Sequence, residues 1–224
     1  MTANVLKVLK EIQDDDLFSD EIYFVGGTAL SYYLEHRISE DIDIICSKAL
    51  DHKKIIPAMS NLGAVKIQDQ NITALRMAGL VADEYILRFV LDDVKIEFFQ
   101  ANRAIQQEIL HKAHFSHYEN SKLKILDLKS IAKLKLVALL QREKSRDLFD
   151  FGAILENRVL ELDEILSICN TLKALLTLDE LVVYITSKRE PIDDESVYIT
   201  QVDRVDFSFD EIKTNIIEKL KAIA

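Results

Sequence analysis

A short apolar run that ends in two consecutive glycines constrains the fold more than any other feature of this sequence. The run EIYFV is rich in strand-forming residues, Gly26 and Gly27 end it, and TALSYYLEHR continues with apolar residues at helical spacing. A strand that turns directly into a helix exposes backbone N–H groups where the helix dipole favours an anion such as a phosphate. Glycine leaves room for that ligand, and Thr28 adds a hydroxyl. The pattern predicts a phosphate-binding turn or, alternatively, only a tight strand-to-helix connection.

Two aspartates spaced one residue apart follow in the apolar run DIDIIC. In a strand, residues two apart face the same side, so Asp41 and Asp43 would share one face while Ile42 and Ile44 point to the core. Neighbouring carboxylates repel each other unless a cation lies between them, and such oxygen ligands suit Mg²⁺, which takes further ligands from water and phosphates. The alternative is an edge strand whose aspartates are solvated.

A third carboxylate interrupts the otherwise apolar run VKIEFF. Alternation places Val94 and Ile96 on one face of a strand and Glu97 on the other. If this strand lies beside the aspartate-bearing strand, Glu97 joins Asp41 and Asp43. Three carboxylates predict a two-metal phosphoryl-transfer site, whereas a salt-bridged glutamate is the alternative interpretation of Glu97 alone.

The pattern of the chain changes from mixed to helical near residue 115. Strands are predicted for EIYFV, DIDIIC, AVKIQ, ITALRMA, EYILRFVL and VKIEFF, with Asp92-Asp93 as a turn. Helical periodicity then predicts helices over 128–140, 145–157, 163–176, 178–187 and 210–223, and residues 190–209 receive no assignment. The sequence therefore predicts an α+β (mixed α/β) protein with a first domain over 1–115 and a helical domain over 116–224.

Composition narrows the functional classes. With 224 residues and 49% hydrophobic content the chain can bury a core, and its net charge of −10 does not indicate a nucleic-acid binder. Cys46 and Cys169 lie in apolar settings, which favours buried thiols in a reducing compartment. The N-terminus lacks the apolar region of a secretory signal, and no uncharged apolar run approaches the length of a membrane span. The expected location is the cytoplasm.

Basic residues concentrate in one segment of this acidic chain. Residues 122–146 contain eight lysines and arginines and only two acids, a net charge of +6. If one continuous helix covers the end of this segment, Lys135, Arg142 and Arg146 lie within about 40° of one another. The segment predicts a docking surface for a polyanion, with a solvated helix face as the alternative.

Three motifs in this order, GGTAL, HRISEDIDI and LKLVALLQREKSRDLFDF, resemble the AbiEii-type nucleotidyltransferases. That family belongs to the DNA polymerase β-like superfamily and includes toxins of type IV toxin–antitoxin systems. The resemblance covers about residues 22–155. It implies a polymerase β-like nucleotidyltransferase module with a mixed sheet, followed by a helical bundle, with the site in the cleft between them.

The resemblance also implies an activity and partners. The expected reaction is transfer of a nucleoside monophosphate from an NTP to a hydroxyl of RNA, tRNA in some relatives, or of a protein. The implied cofactor is a pair of Mg²⁺ ions, with Mn²⁺ as an alternative, and an antitoxin protein is an expected partner. Two other readings are a small-molecule nucleotidyltransferase of the antibiotic-modifying kind and a non-catalytic binding module. The intact carboxylate trio favours an enzyme.

Roles for individual residues follow from the same resemblance. The glycine pair and Thr28 would hold the triphosphate, the two aspartates would bind both metals, and Glu97 would bind the metal that activates the acceptor hydroxyl. The cationic side chains of Arg37, Lys135 and Arg142 would contact the nucleotide. Asp147, in the last motif, would be essential for catalysis. In this interpretation Lys135 reaches the NTP phosphates from the helical domain.

Overall fold

The computed structural model describes residues 1–68, 77–191, 198–199, 204–205 and 207–223. The chain forms two compact units. The first contains Met1–Tyr32 and Ser39–Asp127, and the second contains Tyr33–Ile38 and Leu128–Ala224. The short segment after Tyr32 therefore packs with helices that lie about a hundred residues later in the chain.

Seven strands of the described residues form a mixed sheet in the first unit. Their order across the sheet is β3-β4-β5-β2-β1-β7-β6. The β2/β5 and β1/β7 pairs are parallel and the other pairs are antiparallel. The strands are β1 (Ile22–Val25), β2 (Ile42–Cys46), β3 (Val65–Ile67), β4 (Ile86–Leu91), β5 (Val94–Gln100), β6 (Phe115–His117) and β7 (Lys124–Leu126).

Among the described residues, α-helices accompany these strands in sequence. The first is capped by Thr2, whose hydroxyl accepts a hydrogen bond from the backbone N–H of Val5, and its apolar stripe is fully buried. Asp92 and Asp93 adopt positive φ angles and form the predicted turn between β4 and β5. The helices are α1 (Ala3–Ile12), α2 (Gly26–Leu34), α3 (His52–Asn61) and α4 (Ala104–Lys112).

Helices make up most of the second unit. Three of them begin with reciprocal capping boxes in which a Ser, Thr or Glu cap pairs with a glutamate three residues later. Their apolar faces bury a core that includes Leu136, Phe151, Ile165 and Ile216. The helices are α5 (Leu128–Gln141), α6 (Ser145–Glu156), α7 (Leu162–Lys173), α8 (Leu178–Ser187) and α9 (Phe209–Ala222), with a short pair formed by β8 (Tyr198–Ile199) and β9 (Arg204–Val205).

The predicted secondary structure is confirmed for most elements, but the arrangement predicted for the basic segment is wrong. The basic segment is not one continuous helix, because α5 ends at Gln141 and α6 begins at Ser145. The helical face predicted to join Lys135, Arg142 and Arg146 therefore does not exist. The strand predicted for ITALRMA covers residues 72–78, of which 72–76 lie outside the described residues, and Met77 and Ala78 are not in a strand.

The compact units divide the chain at a different place from the predicted boundary at residue 115. β6 and β7 extend the first sheet beyond that residue, because β7 pairs with β1 through Phe24 and Ile125. Both cysteines are buried free thiols, as the sequence predicts. Within the described residues no helix is long and apolar enough to cross a membrane.

Candidate active site

The start of α2 lies against the carboxylate of Asp43. β1 and β2 are antiparallel, and Val25 lies opposite Asp43 in their register. Gly26 follows with φ of +79°, and a Cβ built on it would lie 2.0 Å from Asp43 Oδ2. No side chain fits in that space, so glycine is required here by the carboxylate and by the backbone conformation.

The hydroxyl of Thr28 connects the start of α2 to the aspartate segment. Thr28 is fully buried, and its hydroxyl is hydrogen-bonded to the backbone carbonyl of Asp41 and to Ser39 Oγ at 2.9 Å. A hydroxyl has one proton, so Thr28 donates to the carbonyl and accepts from Ser39. In this geometry Thr28 positions Asp41, and a contact with a nucleotide would require these bonds to break.

The aspartates and Glu97 lie on neighbouring strands. Ile42 and Ile44 are fully buried while Asp41 and Asp43 are half-buried, which confirms the predicted alternation. β2 and β5 are parallel with Asp43 directly beside Glu97, as the sequence predicts for adjacent strands. The three carboxylates therefore belong to one region of the sheet.

Glu97 already has cationic partners. Arg88 on β4 lies opposite Glu97 in the register, and its Nε is 2.5 Å from Glu97 Oε2. Lys95 Nζ lies 3.3 Å from the same oxygen, and the glutamate side chain is only 17% exposed. The carboxylate is therefore held in a salt bridge through Oε2, and a metal bound through that oxygen would have to displace Arg88.

The two aspartates offer oxygen ligands of the kind that a hard cation takes. Asp41 and Asp43 supply oxygen donors of the type that Mg²⁺ takes together with phosphate oxygens and water. Among the residues described by the structure, no group of three or more acidic, histidine or cysteine side chains is arranged to hold a metal ion. The Asp41–Asp43 pair fits a metal completed by substrate oxygens, whereas Oε2 of Glu97 is occupied by Arg88 and Lys95.

A second cluster of functional candidates surrounds Asp150 in the second unit. Arg37 forms a bidentate salt bridge with Asp150, with Nε–Oδ1 at 2.6 Å and Nη2–Oδ2 at 3.0 Å. Lys135 Nζ lies 2.8 Å from Oδ2, and His36 Nε2 lies 2.7 Å from Oδ1. Asp150 is completely buried, so these donors replace its lost hydration.

Asp147 lies one helical turn before Asp150 and extends the same cluster. Arg142 binds it through Nε at 2.6 Å and Nη2 at 3.0 Å, and Lys135 lies 3.4 Å from its Oδ1. The structure thus brings Arg37, Lys135 and Arg142 together around two buried aspartates. The i, i+3 spacing of the two aspartates on a helix was a signal for this arrangement.

The pKa values of both aspartates reflect these contacts. Burial by itself raises the pKa of Asp150, but the positive charges of Arg37 and Lys135 and the hydrogen bonds from His36 and Arg37 outweigh it and hold the pKa well below its usual value. Burial also opposes ionisation of Asp147, and Lys135 and Arg142 lower its pKa. Both groups therefore carry a negative charge at neutral pH.

Replacing Gly26 with alanine is expected to damage both stability and activity. Gly63 provides a matched control, because its φ is +86° but the nearest atom to an added Cβ is Leu91 Cδ1 at 3.9 Å. Gly63→Ala should cost about 1–2 kcal/mol from backbone strain alone, whereas Gly26→Ala should cost roughly 1–3 kcal/mol more because it displaces Asp43. Chemical denaturation measures both values. Equal losses would contradict the required contact between Gly26 and Asp43.

Comparison with known proteins relates these features to a family. The family model described as the nucleotidyl transferase AbiEii toxin of type IV toxin–antitoxin systems matches residues 7–213. None of the curated proteins searched matches the sequence. The crystal structure of a proposed nucleotidyltransferase from H. pylori is similar to this fold, with a TM-score of 0.53, 16% identity and coverage of 100% of this chain and 96% of that chain.

A second similar structure is that of MenT4, a nucleotidyltransferase toxin from Mycobacterium tuberculosis H37Rv. Its TM-score is 0.51 at 14% identity, and the alignment covers 97% of this chain and 79% of that chain. At these identities the two structures support the fold, and the family match over nearly the whole chain supports membership. The chain therefore belongs to the AbiEii family of nucleotidyltransferase toxins of type IV toxin–antitoxin systems.

Proposed function

We propose that this chain is a Mg²⁺-dependent enzyme that transfers a nucleoside monophosphate from an NTP to a hydroxyl of RNA or of a protein. The observation that carries the proposal is the contact between the start of α2 and Asp43, at the position where Gly26 has no side chain. Backbone N–H groups at a helix N-terminus favour phosphate oxygens. In this proposal Asp43 and Asp41 would share a cation with those oxygens.

In the proposed reaction the acceptor oxygen forms a bond to the α-phosphorus. The bond from that phosphorus to the bridging oxygen breaks, pyrophosphate leaves, and the hydroxyl proton passes to a carboxylate or to water. Bound Mg²⁺ would neutralise charge on the phosphate oxygens. Gly26 and Gly27 would bind the triphosphate through their backbone N–H groups, so that the attack is in line.

In this proposal Arg37, Lys135 and Arg142 would make the cationic contacts to the nucleotide. Arg142 is the most accessible of the three candidates, since its side chain is 57% exposed while it binds Asp147. Arg37 and Lys135 are almost completely buried, and Asp150 balances part of their charge. We therefore assign Arg142 a direct phosphate contact first, and retain Arg37 and Lys135 as further phosphate ligands with Asp147 as their support.

An antitoxin protein is the proposed regulatory partner, as the family implies, and the cytoplasm is the proposed location.

RNA is the preferred acceptor, although several basic residues of segment 122–146 already form salt bridges within the protein. Lys129 and Lys133 both bind Glu164, and Lys122 binds Asp16. An acceptor RNA would therefore have to compete with these salt bridges or use the remaining basic residues.

Transfer of label from each α-³²P NTP tests the proposal. The protein is incubated with Mg²⁺, one labelled NTP and either total RNA or a protein extract. Label on RNA or protein that depends on Mg²⁺ supports the proposal, and label on small molecules alone would favour the antibiotic-modifying reading. NTP binding without any transfer, across all four nucleotides and all acceptors, would favour a non-catalytic module.

Glu97→Gln separates the catalytic role of Glu97 from its role in a salt bridge. If the carboxylate helps to activate the acceptor, the transfer rate should fall by at least about a hundredfold while NTP affinity stays within about tenfold. Arg88→Gln is the matched control, because it breaks the same salt bridge but keeps the carboxylate. If both variants lose similar stability and keep full activity, Glu97 stabilises the sheet and has no role in catalysis.

A further inference from the structure

The sheet face that carries Asp43 continues across three more strands to an exposed aromatic side chain on β6. Phe115 lies opposite Leu126 of β7, and the parallel register of β7 and β1 places Leu126 beside Val25. Val25 in turn lies opposite Asp43. Residues paired across neighbouring strands point to the same face of a sheet, so Phe115 and Asp43 share one face and one row. Three strand spacings separate them, which is about 14 Å.

The ring of Phe115 is partly open to solvent. The residue is 49% exposed, although it contacts two other rings of the same unit. The ring centroid of Tyr23 lies 5.6 Å away with the planes inclined by 45°, and that of His117 lies 6.3 Å away at an angle of 78°. Neither ring lies parallel to that of Phe115, so a planar group can still stack on its open surface.

A lysine on the neighbouring strand adds a positive charge beside this ring. Nζ of Lys124 lies 5.5 Å from the centroid of the Phe115 ring. The ammonium group donates hydrogen bonds to the backbone carbonyls of Ser19 and Asp20, at 2.9 and 2.8 Å, which fix its position. Because carbonyl groups are uncharged acceptors, these hydrogen bonds do not neutralise the positive charge. An aromatic ring beside a cation is the combination with which proteins bind single-stranded nucleic acids.

The extent of the exposed apolar surface favours a nucleobase over a partner protein. Stable protein interfaces bury roughly 800 Å² on each partner, around an apolar core. Leu126 and Val25 are already buried, so on the row between Phe115 and Asp43 the open apolar surface is that of one ring. One ring matches one base, and exposed aromatic side chains on a sheet face bind single-stranded RNA in this way in other folds.

We propose that a base of the acceptor RNA stacks on Phe115, in a single-stranded stretch that continues to Asp43. The choice of RNA rests on the proposed nucleotidyl transfer, in which the acceptor hydroxyl has to reach the metal site. A stacked strand advances about 3.4 Å per nucleotide, so roughly four nucleotides span the distance of about 14 Å. Phe115 therefore holds the acceptor at a point a few nucleotides from the reacting hydroxyl.

Binding of a fluorescein-labelled single-stranded oligoribonucleotide to the full chain tests this assignment without requiring catalysis. The probe has a mixed sequence of about 12 nucleotides, within the range that one small single-strand-binding domain covers. Phe115→Leu keeps an apolar side chain but removes the ring, so the Kd measured by fluorescence anisotropy should rise at least about fivefold. Phe115→Trp keeps a ring and should bind at least as tightly as the wild type. An unchanged Kd in Phe115→Leu would overturn the assignment.

Two controls separate base stacking from other effects of the substitution. Phe207→Leu removes a ring of nearly equal exposure, 48%, in the second unit, and should leave the Kd unchanged. A fully base-paired RNA of the same length should bind Phe115→Leu and the wild type equally, because paired bases are not free to stack on a side chain. An equal loss of affinity in Phe207→Leu, or for the paired RNA, would overturn stacking on Phe115 as the cause.

Transfer to acceptors of two lengths tests the position of the stacking site. With the single-stranded probe as acceptor, Phe115→Leu should raise the KM for RNA at least about fivefold, while the KM for NTP and the kcat at saturating RNA stay unchanged. A dinucleotide is too short to reach from Asp43 to Phe115, so the variant and the wild type should use it equally well. An equal effect of Phe115→Leu on both acceptors would overturn the placement.

The outcomes separate this inference from the proposed function. RNA labelling by the wild type, with Kd and KM unchanged in Phe115→Leu, would overturn the inference and leave the function intact. RNA binding that depends on Phe115, without labelling of any acceptor, would support the stacking site and overturn the function. Labelling of a protein acceptor that is impaired in Phe115→Leu, with RNA binding unchanged, would overturn the choice of RNA.

Discussion

Asp43→Asn is expected to reduce nucleotidyl transfer by at least about a thousandfold while the fold is retained. The carboxylate lies beside Glu97 in the sheet and against the start of α2, where the triphosphate is proposed to bind. Asparagine has the same shape but lacks the charge that would hold Mg²⁺. Loss of about 4 kcal/mol of transition-state stabilisation corresponds to that factor, since about 1.4 kcal/mol is tenfold in rate.

Initial rates with a competent labelled NTP and Mg²⁺ measure this effect. Asp41→Asn should act in the same direction, and relief of repulsion between the carboxylates should leave the melting temperature unchanged or raise it. Asp92→Asn is the control, because Asp92 lies in the exposed turn between β4 and β5 and pairs with Lys7. Full activity in either active-site variant would exclude the assigned metal ligands.

Asp150→Asn is expected to lower the free energy of unfolding by about 3–5 kcal/mol, the usual result of removing one partner from a buried ion pair. The substitution preserves volume but leaves Arg37 and Lys135 buried near a neutral amide. Asp210→Asn is the control in the same unit, because Asp210 is 86% exposed in its pair with Lys213 and should change stability by about 1 kcal/mol or less.

The stability of the wild-type protein at low pH should show the effect of the same buried ion pair. The pKa of Asp150 is lower in the folded state than in the unfolded state, so its contribution to stability is complete above the unfolded pKa of about 3.9. That contribution is lost as the pH falls from there through the lower folded pKa. The free energy of unfolding, measured by denaturation between pH 6 and pH 3, should therefore fall more steeply with decreasing pH for the wild type than for Asp150→Asn. An equal decrease in both proteins would show that the buried ion pair does not cause the loss of stability in acid.

Local patterns in the sequence were sufficient for β1 to β5 of the sheet, but not for β6 and β7, and for part of the candidate site. The two-residue alternation around Ile42 and Ile44 predicted the half-buried aspartates, and the glycine pair predicted the turn into α2. These predictions succeeded because strand alternation and helix periodicity depend on residues close together in the chain. The family resemblance, carried by three motifs in order, is likewise a property of the sequence and is confirmed over residues 7–213.

Only the tertiary structure decided which charges meet. Arg37 binds Asp150 although 113 residues separate them, and Lys122 binds Asp16 across 106 residues. Sequence reasoning therefore overestimated the free positive charge of the basic segment and missed both His36 and Arg88 as partners of site residues. Local periodicity determines the elements and the face on which a side chain lies. The packing of distant elements determines whether that side chain faces water, a ligand or an opposite charge, because Coulomb energy depends on distance in space and on burial.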